Sequence, residues 1–218
     1  MDTPHQPTAI GDQVHTLRNP YTCDIVFLDV ETTGLAPEYH DLIEIGAIRV
    51  RQSDFAVVCE YSTKVRPNNI DRASPGALRV NGYTPEGWAD AVSLSEAMLE
   101  MLDMVRDAAL CAHKAAFDEY FLYHALKRCA FLPQDGAAPW FYVFDTLSNG
   151  QILLRRQAPR LRGSLLADAL GVQPEPLPHT ALRGAQQCFD IYRRQRQLMD
   201  DSIISERMAS LITAFHTT

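Results

Sequence analysis

No hydrophobic run in this chain approaches the length of a membrane span. The first residues lack the charged-then-apolar pattern of a secretory leader. No Cys-x-x-Cys occurs, and the five cysteines (Cys23, Cys59, Cys111, Cys129 and Cys188) are odd in number and scattered. They fit neither a zinc site nor a disulfide framework; they read as small buried residues in a reducing, cytoplasmic compartment. Positive charge is short as well: 20 Lys and Arg against 27 Asp and Glu give a net charge of −7 and a pI near 5.4. Non-specific duplex binders are usually basic, so this balance argues against wrapping long duplex DNA. A pocket that holds only a strand end through bound metal stays open. Internal repeats, low-complexity tracts and domain linkers are missing too.

What is present is a globular composition. With 218 residues, 46% of them hydrophobic, the chain is long enough for one α/β domain with a sizeable core. Residues 1–22 show no periodicity and read as an irregular N-terminal arm; residues 23–218 read as a single domain. Three strands are predicted in close succession, beginning at Ile25–Leu28 and continuing with Leu42–Val50 and Phe55–Val65. Their short connections favour an antiparallel meander. Pro67–Pro85 should be loop with one short helical turn. Ser93 and Glu96 form a capping-box signature ahead of a helix with Leu94, Ala97, Met98, Met101, Leu102 and Val105 on one face. A fourth strand is expected at Ala108–Ala112, a helix at Asp118–Cys129 and a fifth strand at Phe141–Phe144. Further helices are expected over Thr146–Arg156, Leu165–Leu170, Thr180–Met199 and Ser202–Phe215. A meander followed by alternating strands and helices makes a five-stranded mixed sheet flanked by helices.

The most informative stretch is Phe27-Leu28-Asp29-Val30-Glu31-Thr32-Thr33-Gly34-Leu35. Asp29 and Glu31 share one face of a strand, where two acids repel and resist desolvation. A hard divalent cation with oxygen ligands would neutralise them; a solvated edge strand could carry the same pair. Two further segments hold chemistry-bearing residues. Cys111-Ala112-His113-Lys114-Ala115-Ala116-Phe117-Asp118 places an acid where a helix begins, a position that capping alone would also explain. Pro178-His179-Thr180-Ala181-Leu182-Arg183-Gly184-Ala185 carries a histidine that could equally be an ordinary loop residue.

Together these segments resemble the three motifs of the DEDDh 3'–5' exonucleases, the family of polymerase proofreading exonucleases and ribonuclease T. The first motif matches closely. In the second, Lys114 stands where the family has Asn; in the third, Gly184 stands where it has Asp. Asp190 lies more than a turn further on and on another face, and Gln187 and Cys188 offer no hard anionic oxygen.

The resemblance implies a ribonuclease-H-like fold and a Mg2+ or Mn2+ site. In it Asp29 bridges two ions, Glu31 holds the nucleophile-side ion, Asp118 supports the other through water, and His179 is the general base. It further implies that Thr32 backbone, the wedge-like Leu35 and Asn81 hold the terminal nucleotide, and that the partner is a single-stranded DNA or RNA 3' end. A polymerase or other protein is a further implied partner; a membrane is not.

Losing the acid at 184 and gaining Lys114 shifts the local charge by as much as one divalent ion carries. This predicts an impaired two-metal site, reduced activity, and restoration by Gly184→Asp. A degenerate domain that binds strand ends or a protein without cutting is the alternative. Arg155, Arg156, Arg160, Arg162, Arg193, Arg194 and Arg196 could grip phosphates or simply line a solvated face; Trp88 and Trp140 fit core roles better than base stacking.

Overall fold

The computed structural model describes residues 19–154 and 163–216. The strands are β1 (Ile25–Thr32), β2 (Leu42–Val50), β3 (Val57–Lys64), β4 (Ala109–Ala112) and β5 (Val143–Asp145). The helices are α1 (Pro75–Asn81), α2 (Leu94–Val105), α3 (Ala116–Arg128), α4 (Thr146–Leu153), α5 (Gly163–Ala169) and α6 (Ala181–His216). The sheet order is β3-β2-β1-β4-β5. β1, β2 and β3 pair antiparallel, while β4 joins β1, and β5 joins β4, in parallel. The mixed five-stranded sheet is therefore as expected.

Alternation along β1 decides what covers each face. Val26, Leu28 and Val30 pack with Ile45 and Ala47 of β2 against α2 and α3, through Met98, Met101, Phe121 and Leu122. Ile25 and Phe27 point the other way, with Ile48, Val50, Ala185, Phe189 and Tyr192, under α6. Asp29 and Glu31 continue this second row. The capping box of α2 forms as expected, Ser93 Oγ accepting from Glu96 N–H and Glu96 Oε2 from Ser93 N–H.

Several elements differ from expectation, among them β3, which begins at Val57, and β5, which spans Val143–Asp145. β1 runs on through Asp29 and Glu31 to Thr32, so the acids sit within the strand. The two helices expected at the C-terminal end are one continuous helix of 36 residues. α3 begins at Ala116, two residues before Asp118. Most of the N-terminal arm and Arg155, Arg156, Arg160 and Arg162 lie outside the described residues. Among the described residues no helix is long and apolar enough to cross a membrane.

Candidate active site

The site forms at the C-terminal end of β1, where parallel pairing to β4 stops at Phe27 opposite Cys111. Beyond that point β1 has a free edge, and the Val30 N–H donates to Asp118 Oδ1 at 3.2 Å. Asp118 is buried in the first turn of α3. Its carboxylate accepts from its own N–H in that turn and also reaches across to the backbone between Asp29 and Glu31.

On the other edge of β1, Asp29 lies opposite Gly46 and Glu31 opposite Glu44. The N-terminal turns of α6 rest directly on this row. A Cβ on Gly46 would meet the carbonyl carbon of Ala181 at 2.1 Å, and Ala181 N–H donates to Glu44 Oε1 at 3.2 Å. The small residues of the third motif allow this approach; Ala181 and Ala185 are fully buried. Gly184 faces Asp29 itself: a Cβ there would sit 2.3 Å from Asp29 Oδ2.

Concentrated carboxylates in a desolvated place hold protons. Asp29 is partly solvent-accessible, yet its carboxylate is deeply surrounded by protein. Burial first, then the charges of Asp118, Glu31 and Glu175, raise its pKa well above the carboxylate range. Burial, then Glu175 and Glu44, pushes Glu31 up to about 8. Burial also pushes Asp118 up to about 8, against the lowering effect of its hydrogen bond from Val30. The donor set is rich in anionic oxygen, without thiolate, and fits a hard divalent cation that would take the place of these protons.

His179 sits immediately before α6, half-exposed, its N–H donating to Val80 carbonyl oxygen at 3.0 Å. The structure brings it to the carboxylates, and it brings one residue that sequence reasoning missed. Glu175, Glu31 and His179 each offer a ligand atom, and these atoms lie within 4.8 Å of one another. Glu175 comes from an aperiodic loop between Pro174 and Pro176, so no pattern marks it. The signal available was negative: a missing acid at 184 asks for a carboxylate elsewhere, and Glu175 lies four residues before His179.

Two expectations are corrected. Lys114 does not bring its charge into the site. It is exposed, and the charges that bear most on Asp29, Glu31 and Asp118 are other acids. Its φ of 67° is in the left-handed region, and its N–H donates to Asp145 Oδ1 at 3.0 Å. Asn tolerates that conformation well, so a backbone reason exists for Asn at this position. Nor does position 184 have room for a restored Asp with Asp29 where it stands.

Thr32 is buried at the end of β1. Buried Asn81 uses both ends of its amide: Nδ2 donates to Thr32 carbonyl oxygen at 3.1 Å, and Oδ1 accepts from Tyr83 N–H at 3.2 Å. It therefore braces Thr32. Leu35, by contrast, is 83% exposed. Its loop is fixed from behind by Arg128, which bonds Asp41 Oδ1 at 2.9 Å and Pro37 carbonyl oxygen at 3.0 Å.

Arg183, Arg193 and Arg194 line a cleft of about 750 Å3 between α6 and the loop that holds Glu175. Trp88 and Trp140 are buried, with their indole N–H groups donating to Ile43 carbonyl oxygen and Glu119 Oε1, as core residues do. Asp190 pairs with Arg193 at 3.6 Å and lines this cleft, apart from the carboxylate cluster.

Residues 26–192 match the exonuclease family that includes ribonuclease T (RNase_T). Over 175 residues the chain is 32% identical to the PolC-type DNA polymerase III of Thermotoga petrophila, covering 80% of this chain and 12% of that protein. It is 30% identical over 132 residues to the PolC-type enzyme of Staphylococcus epidermidis, covering 61% of this chain and 9% of that protein. The chain thus spans about a tenth of the length of these curated relatives.

Among solved structures, zinc-bound E. coli exonuclease I in complex with single-stranded DNA aligns with a TM-score of 0.66 and 18% identity, over 85% of this chain and 44% of that one. Exonuclease I of Methylocaldum szegediense aligns with a TM-score of 0.65 and 19% identity, over 80% and 40%. These likenesses carry the fold. With the matched span covering all three motifs, the chain belongs to the DEDDh 3'–5' exonuclease family.

Proposed function

We propose that this chain is a metal-dependent 3'–5' exonuclease that trims single-stranded DNA or RNA ends to nucleoside monophosphates. The observation that carries this reading is the convergence of Asp29, Glu31, Asp118 and His179 at one end of β1, beside the exposed Leu35.

Asp29, Glu31 and Asp118 would hold Mg2+ or Mn2+, which when bound offsets the negative charge that builds on the phosphoryl and leaving oxygens. His179 accepts a proton from the attacking water. The water oxygen bonds to phosphorus, the bond from phosphorus to the 3' oxygen breaks, that oxygen takes up a proton from solvent, and a nucleoside 5'-monophosphate leaves. Thr32 backbone, braced by Asn81, orients the terminal nucleotide, and Leu35 wedges against its base. Arg183, Arg193 and Arg194 attract the backbone behind it. The five free cysteines fit a reducing compartment such as the cytoplasm, and the polymerase relatives make a polymerase a reasonable companion.

Gly184 favours a second reading, an end-binding domain without cleavage. The test is release of mononucleotides from a 3'-labelled single strand under Mn2+, beside Asp29→Asn. Release by the parent and at least about a hundredfold less by the variant supports nuclease action. Strand binding without release at any Mn2+ concentration supports the second reading.

A further inference from the structure

We propose that Glu175 supplies the metal-ligating carboxylate that the family places at position 184. The proposal rests on the metal-dependent reading of the site and concerns which residue completes it.

Three observations carry it. First, the place of a side chain at 184 is filled. Asp29 has its carboxylate where a Cβ on Gly184 would lie, so the acid must come from another direction. Second, Glu31 is nine-tenths buried and offers a carboxylate oxygen to the group formed with Glu175 and His179. A cation among these oxygens would offset the repulsion between Glu31 and Glu175.

Third, Glu175 is held in a ligand's posture. Its Oε1 accepts from Thr180 N–H at 2.9 Å, which orients the carboxylate. Its Oε2 stands 3.6 Å from His179 Nδ1, too far for a good hydrogen bond and free to turn to a cation. The loop is pinned on both sides: Gln187 Nε2 donates to Gln173 carbonyl oxygen at 2.8 Å, and His179 N–H donates to Val80 carbonyl oxygen.

The charge count follows. Gly184 removes one carboxylate from the family's set and Glu175 returns one, while Lys114 stays outside. The site keeps the negative charge that a pair of divalent ions requires, and the deficit expected from the sequence disappears.

The test is calorimetric titration of the full chain with Mn2+, without nucleic acid, on the parent, Glu175→Gln and Glu31→Gln. Gln keeps an oxygen for the Thr180 N–H, so Glu175→Gln should fold; metal-free thermal unfolding checks this. The expected result is a loss of Mn2+ affinity of at least about tenfold for Glu175→Gln, comparable to Glu31→Gln. A smaller Mn2+-induced rise in melting temperature should accompany it. Parent-like affinity in folded Glu175→Gln overturns the proposal. A parent that takes up no Mn2+ overturns it as well.

Mononucleotide release is read separately. A parent that binds Mn2+ through Glu175 yet never cuts leaves the proposal standing and removes the exonuclease reading. A parent that cuts, with Mn2+ affinity unaffected by Glu175→Gln, does the reverse.

Discussion

The carboxylate of Asp29 lies where a side chain on residue 184 would have to go: a Cβ on Gly184 would be 2.3 Å from Asp29 Oδ2 and 2.4 Å from its Cγ. Aspartate is short, and its root is fixed in the middle of β1, so it cannot swing clear as a lysine tip could. Glycine inside a helix ordinarily costs about 1 kcal/mol relative to alanine. Here the close approach reverses that preference. Gly184→Ala should therefore fail to stabilise the protein and should weaken Mn2+ binding by displacing Asp29. Gly184→Asp should do the same to a greater degree, in place of the restoration that the sequence pattern suggests. Melting temperature and Mn2+ calorimetry on both variants check this. A more stable Gly184→Ala with parent-like metal affinity would show that Asp29 moves aside freely.

The carboxylate cluster makes metal-free stability depend on pH. Glu31 and Asp118 have folded pKa values of about 8, against ordinary values of 4.5 and 3.8. Between these limits the folded protein keeps protons that the unfolded chain has released. Their contribution is complete below pH about 4 and is lost as pH rises through about 8. The melting temperature of the chelator-treated protein should fall across this window, and Glu31→Gln should flatten the fall. Saturating Mn2+ should oppose it, since a cation replaces the protons. Unfolding curves at several pH values, with and without metal, are the measurement. A metal-free melting temperature that rises across the window contradicts the buried cluster.

His179→Ala should lower turnover at neutral pH by about a hundredfold or more, the scale of a lost general base. Strand-end binding should change far less, because the main-chain N–H of His179 keeps its bond to Val80 and the half-exposed ring contributes little packing. Single-turnover cleavage at saturating substrate separates the two effects. An unchanged rate with chemistry limiting assigns the proton to another group.

How far the sequence could be read follows from how each feature is encoded. The sheet, the α2 capping box and the faces of β1 depend on local periodicity, and the motifs single out Asp29, Glu31 and Asp118, which lie together at one end of β1. The link from Asp118 to Val30 spans 88 residues and was not legible, because it depends on β4 ending early beside β1. Lys114 misled because its reason is backbone conformation, while a sequence shows only its charge. Glu175 was silent because a loop residue between prolines has no period and matches no motif position. The meaning of Gly184 needed its distance to Asp29, since absence of an acid and absence of room look identical in one sequence.

Leu35 offers a test of the substrate side alone. Leu35 is 83% exposed on a loop that Arg128 and Asp41 tie down, so its side chain is presented to solvent from a fixed place. It makes no contribution to the core, so Leu35→Ala should change stability by no more than about 0.5 kcal/mol. If a terminal base packs on it, the substitution removes about 1–2 kcal/mol of apolar contact, and KM for a short single strand should rise roughly 5–30-fold. Mn2+ affinity should stay unchanged. Arg128→Ala should raise KM in the same direction, because the Arg128–Asp41 pair holds the loop that presents Leu35. It should also cost stability, since it strands buried Asp41. Steady-state kinetics on Leu35→Ala decides the matter. Unchanged KM with unchanged turnover would place the nucleotide elsewhere and leave the exposed leucine without a role at the strand end.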